Sequence, residues 1–210
     1  MKKLTIVLSV LSSFFITSGT FAQATNKWKL QLGYNVSAPL GSFKNEYISN
    51  TSFRGGVGEL TYTLNPKMSV GLASGYQDYY QKNGRALYHT QGNEMVSAVI
   101  SNSMQVVPIL LKGTFSPMGS SPSFIKPYVS AGAGINLVDY KQYLGEFPTS
   151  DASGVFAAQA GLGVLVPFKK NDGATGFKLG GTYNYASYKK NGLSNLNSVG
   201  VNAGVVFNLK

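Results

Sequence analysis

Large apolar residues and small or polar residues alternate along most of this chain with a period of two. In residues 198–210, Val199, Val201, Ala203, Val205, Phe207 and Leu209 fall on one set of positions, and Gly200, Asn202, Gly204, Val206 and Asn208 on the other. Successive side chains of an extended chain point to opposite faces, so this is a β-strand with one large apolar face and one small or polar face. The same pattern opens at residue 28, where Trp28, Leu30, Leu32, Tyr34 and Val36 oppose Lys29, Gln31, Gly33 and Asn35. It returns over residues 54–64, 68–77, 97–115, 124–137, 154–167 and 177–185, giving eight strands with the last.

The connections fall into two kinds. Asn65-Pro66-Lys67 and the segments 116–123 and 169–173 are short and rich in turn formers. The stretch holding Pro39, Gly41, Asn45 and Asn50, and segments 78–94, 138–153 and 187–196, are longer and are expected to be loops, the 78–94 segment a loop or a hairpin extension. Pro108 interrupts the fourth strand, where a residue without an N–H calls for a bulge or a locally weakened ladder. An even number of hairpin-linked strands can close on itself and leave no free edge in a bilayer. The expected fold is therefore all-β, an eight-stranded antiparallel up-and-down transmembrane β-barrel with short turns at one end and long loops at the other.

Charge decides which face points outward. Eight alternating strands also describe a soluble barrel with its apolar face inside. Only 12% of the residues are charged, against roughly 25% in an ordinary soluble domain. The small-polar faces carry only Lys29, Glu59, Lys112 and Lys178 across all eight strands. Such a face suits a narrow lumen, so the apolar face is assigned to lipid. All four charges map to the same half of the interior, where unpaired charge is costly. They are expected to cluster, with Glu59 the shared counter-charge of the lysines and Gln31 or Gln159 joining them. Such a cluster serves as a plug that fills the interior or as an anion-attracting constriction.

Aromatic residues sort to the two strand ends. Trp28, Phe115, Phe168, Phe177 and Phe207 lie near the turn end, and Tyr34, Phe53, Tyr76, Tyr183 and Tyr185 near the loop end. Two interfacial girdles are expected of a membrane barrel. Residues 1–22 have a basic start at Lys2 and Lys3, an apolar middle and small residues at the end, the three regions of a signal peptide cleaved after Ala22 or Ala24. Residues 27–210 are then the barrel domain, and no other apolar run approaches the roughly 20 residues of a spanning helix.

Chemistry is sparse. The formal charge is +10, but the basic residues are scattered, which favours contact with anionic lipid over nucleic acid. There is no Cys, and the single histidine, His89, sits in a loop near Glu94. A Ser, His and carboxylate arrangement for lipid hydrolysis is conceivable there, but no enzymatic activity, metal or cofactor is expected. Calcium at the loops would have to use Asp78, Asp139, Glu146 or Asp151. The glycine pairs Gly132/Gly134 and Gly161/Gly163 lead into no helical pattern, so they mark close packing rather than a phosphate loop. The loop tyrosines Tyr47, Tyr79, Tyr80, Tyr88, Tyr140 and Tyr143 suit either ligand contact or the membrane interface.

Three stretches carry a family resemblance: KPYVSAGAGINL (126–137), VVPILLKGTF (106–115) and VNAGVVFNL (201–209). They resemble the outer-membrane β-barrel domain family, the small OmpA/OmpX-like barrels. The resemblance implies residence in the outer membrane among phospholipid and lipopolysaccharide, with both termini periplasmic. It also implies insertion by the outer-membrane assembly machinery, for which Asn202, Gly204, Phe207 and Leu209 match the closing-strand signal. It implies no single activity. A structural or surface-interaction role, through extracellular loops that contact protein or glycan, leads. A narrow channel for small solutes and an outer-leaflet lipid-modifying enzyme are the alternatives.

Overall fold

The computed structural model describes residues 27–89, 95–119, 123–144, 147–169, 172–190 and 192–209. The expected signal peptide lies outside the described residues. The strands are β1 (Trp28–Leu40), β2 (Ser52–Asn65), β3 (Met68–Lys82), β4 (Ala86–His89), β5 (Met95–Ala98), β6 (Ile100–Phe115), β7 (Lys126–Leu144), β8 (Phe147–Lys169), β9 (Asp172–Ala186) and β10 (Leu196–Leu209). Eight of them close an antiparallel barrel in the order β1-β10-β9-β8-β7-β6-β3-β2, while β4 and β5 form a separate hairpin. The seam between β1 and β10 runs unbroken from Trp28 opposite Leu209 to Leu40 opposite Asn197.

The outer wall is apolar. Leu32, Leu72, Leu111, Val129, Leu162 and Val201 all face outward, and Leu111 and Leu162 are each 69% exposed. A continuous surface of that kind needs hydrocarbon, not water, against it. Among the described residues no helix is long and apolar enough to cross a membrane. The crossing is made by strands, whose backbone groups pair around the closed ring.

Several expected boundaries move. Of the two expectations for residues 78–94, a loop or a hairpin extension, the described residues show the second: five more residues of β3, then β4 paired with β5, with Asn83 N–H donating to Ile100 O at 2.8 Å. The stretch expected as a loop at 138–153 is strand throughout its described residues, β7 and β8 pairing from Val138/Ser153 to Leu144/Phe147. Pro108, opposite Asn136, causes no bulge but does interrupt the ladder locally: β3 and β6 keep one register on both sides of it, with pairs at Ser74/Ile109 and Gln77/Val106 and none at Val107 or Pro108. Irregular register falls instead at Asn35/Ser37, Thr63/Asn65 and Pro167/Lys169. The first of these re-aims Phe53, which is 64% exposed beside the outward Arg54, while Ser52 turns inward.

Candidate functional site: the barrel interior

Inward-facing residues of the turn-end half are mainly polar, with Val206 opposite Gln31 a buried apolar exception. Glu59 on β2 is 2% exposed and holds two ammonium groups: Lys112 Nζ of β6 at 3.1 Å and Lys178 Nζ of β9 at 3.6 Å from Oε2. Its other oxygen, Oε1, accepts from Thr61 Oγ1 at 3.3 Å. Lys178 donates to Gln31 Oε1 at 2.7 Å and lies over the Tyr128 ring, 4.6 Å from its centre. One carboxylate thus ties three strands, β2, β6 and β9, across the lumen, and Lys178 extends the link to β1 and β7. Lys29 is half-buried on the same inner face, one pair nearer the turn end and opposite Thr61. Gln31 joins the cluster, whereas Gln159 bonds Asn184 Oδ1 at 2.7 Å higher in the barrel.

Two further residues that the alternation puts on the inner face, Tyr128 and Lys126, are absent from the expected cluster. Tyr128 fills the lumen beside Gly163 and Gly180, where a Cβ on either glycine would run into its hydroxyl. Paired small residues opposite a large one are the sequence signal for it. Lys126 is buried at the mouth and donates to Gly119 O at 3.2 Å.

Toward the loop end the interior becomes a ladder of amides and hydroxyls. Asn35 donates to Gln77 at 2.8 Å, Gln77 to Ser52 Oγ at 2.7 Å and Asn184 to Ser198 Oγ at 3.3 Å. Asn35, Gln77, Asn184 and Ser198 border a cavity of about 100 Å³ that also touches Lys112, Asn136 and Asn202. A site needs only about 10–15 Å³ of such volume per water, so the chamber has room for several waters or one small solute.

Above the chamber the lumen is capped by apolar side chains. Gly41, with φ of 59°, lets the chain leave β1 in a left-handed conformation and enter a π-helical turn, Phe43–Tyr47. Phe43, Tyr47 and Ile48 are driven into the mouth against Tyr79, Met104, Tyr140, Leu193 and Leu196. Phe43 meets Tyr79 edge-on at 5.0 Å, and Tyr47 stacks on Tyr140 at 4.7 Å. The Tyr47 hydroxyl reaches Lys141 O at 2.7 Å and Ser103 O at 3.2 Å, while Asn102 Nδ2 donates to Tyr47 O at 2.9 Å. Burial beside Tyr140 pushes the Tyr47 phenol above its ordinary range. Of the loop tyrosines, Tyr47, Tyr79 and Tyr140 are therefore interior cap residues, and Tyr80 and Tyr143 remain exposed. The side chain of Tyr88 lies outside the described residues.

The remaining residues singled out from sequence are placed as follows. Trp28, Phe115, Phe177 and Phe207 are exposed on the outer wall at the turn end, and Tyr34, Tyr76 and Tyr183 at the loop end. Asn202 and Gly204 face inward, opposite Asn35 and Gly33 of β1, while Phe207 and Leu209 face outward opposite Leu30 and Trp28. Asp78 faces Arg54 at 3.4 Å, Asp139 faces Lys141 at 2.7 Å and Asp151 faces Lys190 at 3.0 Å. Each of these carboxylates already has a cation beside it. His89 ends β4 opposite Met95, and Glu94 and Glu146 lie outside the described residues.

No protein-family model matches the chain, and no characterised protein matches it in sequence. Solved structures do. Neisserial surface protein A (NspA) superposes with a TM-score of 0.55 at 18% identity, covering 87% of this chain and 97% of its own. The fold is that of the small eight-stranded outer-membrane barrels. OprG of Pseudomonas aeruginosa superposes on it with a TM-score of 0.52 at 14% identity, covering 87% of this chain and 96% of its own. At these identities the likeness carries the barrel architecture and leaves the interior and the loops of this barrel to be argued from its own residues.

Proposed function

We propose that this barrel resides in the outer membrane with both termini in the periplasm, inserted by the assembly machinery through the Asn202, Gly204, Phe207 and Leu209 segment. Its apolar wall rests against phospholipid and lipopolysaccharide acyl chains, with the two sets of aromatic residues at the interfaces. Its work is done at the loop end, as a surface-interaction protein.

One observation carries this reading. β8 extends to Phe147, but β9 pairs with it only from Ala157 onward. Among the described residues, 147–155 therefore have a strand partner, β7, on one side only. The Ser187 N–H donates to Phe156 O at 2.9 Å, so the backbone of residue 156 points to the β9 side. By alternation the N–H and C=O groups of Ser150, Ala152 and Gly154 point the same way, above the apolar wall, with no strand to receive them. Pro148 occupies the next such position and has no N–H to offer, the usual protection of a free edge. A free edge of this kind takes an extended polypeptide as an added strand.

Replacing Ala152 by Pro removes one free-edge donor and leaves the β7 ladder intact. The barrel in lipid vesicles is expected to bind a subset of extended, β-branched nonapeptides on an array, and A152P to lose about tenfold or more in affinity with unchanged heat-modifiable gel mobility. Equal binding by the variant, or no binding by the parent, would overturn the reading. A second reading, a narrow channel for small solutes, is favoured by the chamber between the Glu59 cluster and the cap. No catalytic role is proposed.

A further inference from the structure

The chamber has a chemistry of its own. Its wall offers amide groups from Asn35, Gln77, Asn136 and Asn202 and the ammonium of Lys112. Asn136 is 8% exposed, and its Oδ1 has no hydrogen-bond partner although it borders the chamber. A buried polar atom in that state calls for a resident molecule. The charge balance gives the sign of what else it holds. Among the described residues Glu59 is the one carboxylate within 4.0 Å of either Lys112 or Lys178. Two ammonium groups on one carboxylate leave a surplus positive charge inside an apolar-walled barrel, where uncompensated charge is expensive.

The cap above is attached by few, identifiable bonds. The π-helical turn is not paired to any strand. It is held at one end by Ser194 Oγ donating to Ser42 Oγ at 3.0 Å and Ser42 Oγ donating to Asn195 O at 3.3 Å, and at the other by the Tyr47 and Asn102 bonds and by Ser49 N–H donating to Gln81 Oε1 at 2.6 Å. Phe43 and Leu196 belong to both the cap and the chamber lining, so the cap is the chamber's roof.

We propose that the chamber is the occluded midpoint of a path for small monoanions, of chloride size up to a short monocarboxylate. Residues 43–48 are its lid, and the Glu59 cluster its inner constriction. This rests on the channel reading above. The surplus charge selects the anion, the amides replace part of its hydration, and the lid sets whether it leaves. A seated anion would offset the lysines, and the orphaned Asn136 oxygen would be met by one of its accompanying waters.

The absence of native cysteine makes a clean test available. The Ser42 and Ser194 hydroxyl oxygens lie 3.0 Å apart, so cysteines in their places are the pair to cross-link, with disulfide formation checked by thiol titration. Vesicles holding S42C/S194C, loaded with a chloride-sensitive dye, are challenged with external KCl before and after reduction. Chloride entry is expected to rise about tenfold or more on reduction, and the reversal potential in planar bilayers to lie toward chloride. In K112Q the preference for chloride over potassium should fall several-fold, because Glu59 then faces one lysine and Lys29 is left as the remaining cation of that face. Flux that ignores the redox state overturns the lid, and flux that favours potassium, or a K112Q that favours chloride as strongly as the parent, overturns the charge argument. A F43S/Y47S barrel, folded by gel mobility but passing no ion, overturns the path and the channel reading with it.

Discussion

Replacing Glu59 by Gln keeps the shape of a buried side chain and removes the one charge that Lys112 and Lys178 share. With an effective dielectric constant near 20, each attraction amounts to about 5 kcal/mol before desolvation, and the difference between 3.1 and 3.6 Å accounts for less than about 1 kcal/mol of it. Distance therefore does not rank the two lysines. Their other partners do. Lys178 keeps Gln31 at 2.7 Å and the Tyr128 face at 4.6 Å after the substitution, whereas Lys112 loses its hydrogen bond to a carboxylate. Removing one member of a buried pair costs about 3–5 kcal/mol, because the remaining charge is left desolvated. E59Q is expected to lower barrel stability by that amount, read as the urea midpoint in lipid vesicles from the mobility of unboiled samples. Adding K112Q to E59Q should recover more of the loss than adding K178Q. A single-variant loss under about 0.5 kcal/mol, the range of an ordinary surface change, would refute the shared-charge argument, and so would the reverse order of rescue.

The lid has a pH signature. Because burial raises the Tyr47 phenol above its ordinary value near 10, the closed lid holds that proton more tightly than the displaced one, so closure is at full strength below about pH 10 and weakens above it. Protease cleavage within 43–48 should therefore accelerate as pH rises past 10. Y47F should open more readily at neutral pH, by about 1 kcal/mol, and lack the component due to Tyr47; an unchanged profile would count against the assignment. At the seam, a Cβ on Gly204 would run into Leu32 O and Gly33 Cα, so G204A is expected to cost about 1–3 kcal/mol through steric overpacking and to refold poorly in pure lipid. Normal refolding in lipid with failure in cells would instead assign Gly204 to the insertion signal alone.

The wall and the ion cluster were legible because both depend on one rule, the two-residue alternation, applied where one face meets hydrocarbon. Glu59, Lys112 and Lys178 are the rare charges on a face of glycine, serine and amides, and the closed ring leaves them nowhere to go but toward one another. The same rule found every strand of the barrel wall and missed the lid, since Phe43, Tyr47 and Ile48 come from a segment with no period. Their partners Tyr79, Met104 and Tyr140 lie on three other strands, and no local pattern reports that meeting.

The misplaced loop boundaries share one cause. Through Leu137, β7 turns its large apolar side chains outward; beyond it Val138 and Tyr140 point in and are buried, while Asp139 and Lys141 point out and pair with each other. β3 makes the same exchange after Tyr76, with Asp78 outward on Arg54 and Tyr79 inward against Phe43. The strands do not end there. The surrounding medium changes from hydrocarbon to water, and the polarity of the two faces inverts while the ladder continues. An alternation scored for apolar-out therefore breaks at the membrane boundary, which is why the segments read as loops. The inversion also explains why a lid exists at this end. Above the bilayer the barrel has an ordinary water-soluble sheet with an apolar inside, and an apolar inside has to be filled. The π-helical turn supplies that filling, so closure of the chamber follows from the same physics that lets β7 and β8 project beyond the membrane with one edge free.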